Sequence, residues 1–83
     1  MPHYYFHLHD ETITQDDEGC DLPDLDSARA SAIRDARSLM SSQVLDGHLD
    51  LDHWVEITNG NGSKIDEVSF RSAIKITGLA AKD

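Results

Sequence analysis

Histidine at alternate positions is the first chemistry this chain offers. His3, His7 and His9 stand at every second residue of its opening run, with Tyr5 filling the remaining place. In an extended backbone His7 and His9 point to the same side, about 6.5–7 Å apart, a spacing from which two imidazoles could converge on one metal. Imidazole suits zinc, nickel or copper. A tight site takes three or four ligands with outer hydrogen-bond partners, and the one same-face neighbour to propose is Glu56. The speculative metal set is therefore His7, His9 and Glu56. The same surface could act by contact instead, because Trp54 joins it if Val55 and Ile57 face the core. The interaction patch is then Tyr5, His7, His9 and Trp54, and Trp and Tyr are common interface anchors. In the blander reading the histidines are solvated and Trp54 leans over the edge of the core.

Other chemistries lack their parts. An amino-terminal copper site needs a deprotonated amide at residue 2, where Pro2 has none. The acidic run Thr14-Gln15-Asp16-Asp17-Glu18-Gly19 and the turn Asn59-Gly60-Asn61-Gly62-Ser63 both fail the EF-hand order, the second with Phe70 at its twelfth position. Cys20, beside Glu18 and Asp21, is a poor nucleophile candidate in so acidic a segment. No Gly-x-Ser-x-Gly elbow, P-loop or dinucleotide fingerprint occurs. No catalytic residue and no cofactor are assigned, and the expectation is a protein that is not an enzyme.

The elements that would hold these groups follow from periodicity. Tyr4, Phe6 and Leu8 alternate with His3, Tyr5, His7 and His9, which predicts a strand. Asp10–Asp21 reads as a polar connection with room for a short strand. Asp24 can cap a helix whose first turn carries Asp26. Helical spacing then places Leu25, Ala28, Ala32, Ala36, Leu39 and Gln43 on one stripe, apolar at all but its last position, beside Ile33, Met40 and Val44. Asp46-Gly47 supplies the stop, giving a helix over about 25–45. His53–Thr58 alternates again, Asn59-Gly60-Asn61-Gly62 turns the chain, and a return strand over about 64–70 carries a bulge near Asp66-Glu67. Arg71–Ile76 fits a short strand or a helical turn equally, and Leu79–Asp83 is expected to fray.

The expected fold class is α+β: a two-layer β-α-β-β unit, a three-stranded mainly antiparallel sheet with one long helix packed on one face. The crossover rule makes the first two strands parallel, with the third either between them or beyond the second, and the middle place is favoured because an all-antiparallel sheet better tolerates an uncovered face. Length allows a single domain over residues 1–83, with an ordered core of about 3–76.

Charge narrows the partners. The 83 residues carry 16 Asp or Glu against 7 Lys or Arg, a formal net charge of −9. Eight of those carboxylates fall within the first 26 residues, where Lys and Arg are absent. Such a chain repels phosphate backbones and anionic lipid, so neither nucleic acid nor membrane is an expected partner. Mimicry of DNA toward a basic protein would need a rigid array of carboxylates, and here much of the charge lies in a connection. No run reaches the length of a membrane span and no signal-peptide pattern opens the chain, so the expected setting is cytoplasmic. One cysteine excludes an internal disulfide.

Several segments together resemble a known family. Met1-Pro2-His3-Tyr4-Tyr5-Phe6-His7-Leu8, the acidic Asp16-Asp17-Glu18-Gly19, Leu22-Pro23-Asp24-Leu25 leading into an Ala/Arg helix, and Val55-Glu56-Ile57-Thr58 are similar to a family of short bacterial proteins known as a domain of unknown function. The resemblance spans roughly residues 1–76. Where that family has a basic residue followed by Asp-Gly after the first strand, this chain has His9, Asp10 and Glu11. The resemblance implies a bacterial cytosolic setting and carries over no activity. The expected function is thus a small acidic protein-interaction or regulatory domain acting through the open sheet face. Its partner would be an unknown protein or a second copy in a homodimer. The alternative is a histidine-based metal or small-ligand binding protein.

Overall fold

The computed structural model describes residues 1–79. Seven elements follow in chain order: β1 (His3–His9), β2 (Ile13–Thr14), β3 (Cys20–Asp21), α1 (Leu25–Leu45), β4 (Trp54–Thr58), β5 (Lys64–Ser69) and the short α2 (Phe70–Ala73). The class is α+β, with one long helix on an open antiparallel sheet. Four strands run in the order β2-β1-β4-β5, and β3 pairs separately with β1.

The expectation of three strands is corrected to four or five. The segment 10–21 returns along β1, pairing Thr14 with Leu8, Ile13 with His9, Cys20 with Tyr4 and Asp21 with His3. Strand order is corrected too. β1 and β4 are antiparallel neighbours, with Phe6 opposite Ile57, and β5 lies beyond β4 instead of between them. The reason is the early return of the chain. The strand that feeds the helix crossover is β3, already reversed relative to β1, so the crossover rule makes β3 and β4 parallel, with β1 between them.

α1 starts and stops where local chemistry directs. Asp24 is extended and its carboxylate accepts from the Ser27 amide at 2.8 Å. At the other end Gly47 takes φ +82, and the His48 and Gly47 amides donate to the Gln43 and Val44 carbonyls. That pair of bonds is a Schellman stop, and it needs the left-handed residue. The face that α1 buries is Ala28, Ala32, Ala36 and Met40, so helix and sheet approach closely over Val55, Ile57 and Val68. Leu25 and Leu39, expected on that stripe, sit at its margins and stay over a third exposed.

The β4–β5 turn is organised by Asn59, whose side-chain oxygen accepts from the Asn61 and Ser63 amides. The register shift falls at Ile65, one residue before the expected bulge. Ile57 faces Asp66 and Thr58 faces Lys64, leaving Ile65 unpaired and exposed. Asp66 therefore points to the helix side, where Arg29 of α1 meets it at 2.6 Å. Of the two readings for Arg71–Ile76, Phe70–Ala73 takes the helical one. Ser69 caps that turn through the Ser72 amide, and Phe70 is fully buried. The expected fraying concerns Leu79, which is exposed, and otherwise residues outside those described.

Candidate functional site

Pairing across β1 and β4 brings the sequence patch together. Helix packing takes the core-facing row Tyr4, Phe6, Leu8, Val55 and Ile57, so His3, Tyr5, His7, His9, Trp54 and Glu56 share the opposite face. Their rings form a ladder. His3 meets Tyr5 edge-on at 5.0 Å, Tyr5 lies parallel to His7 at 6.2 Å, and His9 stacks on Trp54 at 3.8 Å with planes 8° apart. Lys64 extends from β5 to place its ammonium 4.8 Å from the centre of the Trp54 ring while pairing with Glu67. Ile13, opposite His9 on β2 and about half exposed, continues the row to the edge.

Hydrogen bonds fix these rings. His9 Nε2 and Glu56 Oε1 are 2.7 Å apart, both groups about one-fifth exposed. His7 uses both nitrogens within the protein: Nδ1 accepts from the Asp16 amide at 3.0 Å, which leaves Nε2 to donate to the Thr58 hydroxyl at 3.3 Å. Of the speculative metal set, the structure therefore brings His9 and Glu56 into direct contact and turns the His7 lone pair toward the backbone. That arrangement does not converge on a shared ligand position.

Asp16 lies in the segment that reads from sequence only as a polar connection. Between β2 and β3 the returning chain bulges away from β1, and Asp16 bridges the gap. One carboxylate oxygen accepts from the Phe6 amide at 3.1 Å, and the other accepts from the Glu18 and Gly19 amides at 3.2 and 3.1 Å. Partial burial works against the charged form, but the amides of Gly19, Phe6 and Glu18, with His7 nearby, prevail and hold the carboxyl below its ordinary value. Farther along, His3 places Nδ1 2.5 Å from the Asp21 carboxylate and Nε2 2.8 Å from the Glu18 carbonyl. Both are acceptors, and the ring can satisfy both only as imidazolium. Asp21 first and the Glu18 carbonyl second push the His3 pKa up, while Asp21 is pushed down by the same contact.

A second cluster lies at the far end of the sheet. Glu11, Asp50 and His53 bring their donor atoms within 4.8 Å of one another, a grouping compatible with a cation by distance. The imidazole argues otherwise. Asp50's amide donates to Gln43 Oε1 at 3.0 Å, which orients the Gln43 amide so that its NH2 donates to His53 Nδ1 at 3.1 Å. Nε2 then carries the proton and faces Asp50 at 3.2 Å and Glu11 at 3.5 Å. A buried ring wired in this tautomer has no lone pair to give on that side, so the cluster ties the α1 C-terminus to the start of β4. Its signal in the sequence was Gln43, the one polar residue on the helix stripe.

Comparison with known proteins adds the family. No curated protein and no solved structure matches the chain significantly. The family profile described as a domain of unknown function, DUF6894, matches residues 3–71, from the first histidine of the ring ladder to the second residue of α2. The chain belongs to the DUF6894 family.

Proposed function

We propose that this domain is a non-catalytic binding module, regulatory in effect, which meets a protein partner through its open sheet face. The observation that carries this reading is the row Ile13, His9 and Trp54 across three strands, flanked by Tyr5 and His7. Tyr5, His7, His9 and Trp54 are flat, partly buried rings and Ile13 is an exposed aliphatic at their edge, and among the described residues no second layer packs over them. Stacking and the His9–Glu56 and His7–Thr58 bonds hold the rings in place before any partner arrives, so contact costs little side-chain ordering. With every His7 nitrogen engaged and His9 bonded to Glu56, the face offers shape and aromatic area more than acid–base chemistry.

The net charge of −9 favours a protein partner over nucleic acid or an anionic membrane. Among the described residues no helix is long and apolar enough to cross a membrane. A cytoplasmic setting fits the exposed free thiol of Cys20. Affinity capture with the wild-type chain, set beside Trp54→Ala and Tyr5→Ala variants, tests the reading. A protein retained by the wild type and lost by either variant supports it. Identical eluates from all three, with the variants still folded, refute it. Light scattering in parallel identifies the case where the partner is a second copy.

A further inference from the structure

α1 leaves part of its own sheet face uncovered. Its buried residues lie over β4, β5 and α2, while on the β1 side Phe6 and Leu8 remain half-buried. Between helix and strand runs a groove of about 270 Å³, floored by Phe6, Leu8 and Val55 and walled by Asp35, Ser38 and Leu39. The volume falls just under the roughly 300–1,000 Å³ of small-molecule sites and suits one or two side chains. Asp35 and Leu39, one helical turn apart, set a carboxylate beside an aliphatic wall. Asp35 is the one ionisable group in this lining. Its partial burial pushes the carboxyl up, with Arg34 opposing and Asp16 adding to the shift.

The charge selects the occupant. An anionic lipid or fatty acid meets Asp35, Asp16 and a net −9. A second copy brings 16 carboxylates against 7 cationic side chains. A hydrated metal ion would leave the Phe6 and Leu8 floor wet. What fits both wall and floor is an apolar side chain travelling with a positive charge.

We propose that this groove docks a segment of a partner protein in which a Leu or aromatic side chain neighbours Lys or Arg, the apolar group seated on Phe6, Leu8 and Leu39 and the cation at Asp35. The groove lies on the opposite face of the sheet from Tyr5, His9 and Trp54, so it stands independently of the open-face reading. The test uses the full chain and three blocked pentapeptides: Gly-Leu-Arg-Leu-Gly, its Glu counterpart, and the Arg peptide with Gly for both Leu. Amide-resolved NMR titration should show saturable shifts at Phe6, Leu8, Asp35 and Leu39 with the first peptide. Its affinity should exceed that of the other two at least tenfold. Asp35→Asn and Leu39→Ser should each weaken it about tenfold with their spectra otherwise preserved, and Trp54→Ala should leave it unchanged. Equal affinity for Arg and Glu peptides, retention without Leu, insensitivity to Asp35→Asn, shifts confined to the open face, or no saturable binding would each overturn the proposal.

Discussion

Gly19 is the position where the least chemistry does the most. It takes φ +69, and a Cβ built there would stand 2.5 Å from His3 Nε2 and 2.7 Å from the Tyr4 carbonyl oxygen. Gly19→Ala should therefore lower stability by about 1–3 kcal/mol, read by urea unfolding, and weaken the His3–Glu18 contact at the same time. Asp16→Ala removes the acceptor of the part-buried Phe6 amide and of two loop amides, for an expected loss of about 1–3 kcal/mol. Because Asp16 is held below its ordinary value, its contribution is full above about pH 4 and is lost as pH falls through the lower folded value. Asp16→Ala should then flatten the acid limb of a stability–pH curve. His3 has the opposite sign. Its contribution is fully present below about pH 6.5 and is lost as pH rises through its raised folded value. In Asp21→Asn, ring-proton NMR should show His3 titrating nearer its ordinary range. At this scale the alternation of β1 placed His3, Tyr5, His7 and His9 on one face, while the His9–Trp54 stack was not legible, because it depends on β4 lying directly beside β1. The role of Asp16 was not legible, because a loop carboxylate acquires its amide partners only when β2 and β3 fold back on β1.

Among the elements, α1 was the most legible. Asp24, the Ala stripe and Asp46-Gly47 each mark the helix by a local mechanism, and Leu25–Leu45 is what forms. The stripe also defines a spacing that can be tested. Ala32 is fully buried between helix and sheet, and Ala32→Leu should cost about 1–3 kcal/mol through overpacking, measurable as a lower urea midpoint with unchanged slope. The connection 10–21 left room for a short strand, but the number and positions of β2 and β3 were illegible for an equally local reason. Two residues carry no period, so nothing in Ile13-Thr14 or Cys20-Asp21 separates a strand from a loop. That omission propagated: without β3, the crossover was assigned to β1, and the sheet was ordered wrongly. Asp66 shows the same limit in miniature. Its turn toward Arg29 depends on a bulge one residue earlier than the hydrophobic phase indicated.

For the whole molecule, charge works against compactness. Sixteen carboxylates against seven cationic side chains repel one another in the folded state more closely than in an extended chain. Salt should therefore stabilise this domain: screening about 1 kcal/mol of repulsion corresponds to a rise of about 4–8 °C in Tm for a domain of this size. Differential scanning calorimetry between low and moderate NaCl checks it, and a flat or falling Tm would mean that the local ion pairs outweigh the net charge. The family match covers β1 through the start of α2, so the ring ladder, the Asp16 bridge and the groove all lie within the shared unit.

The division of the β1 partner into two dipeptides also decides what the sheet cannot become. A long, regular outer strand presents a row of free amides and carbonyls to any copy of itself, the starting point of runaway stacking. Here that row is cut at its middle by a bulging acidic loop. At the other margin β5 is broken by Ile65 and begins with Lys64. A domain with an uncovered face thus has both margins of its sheet blunted, an arrangement that works against edge-to-edge pairing.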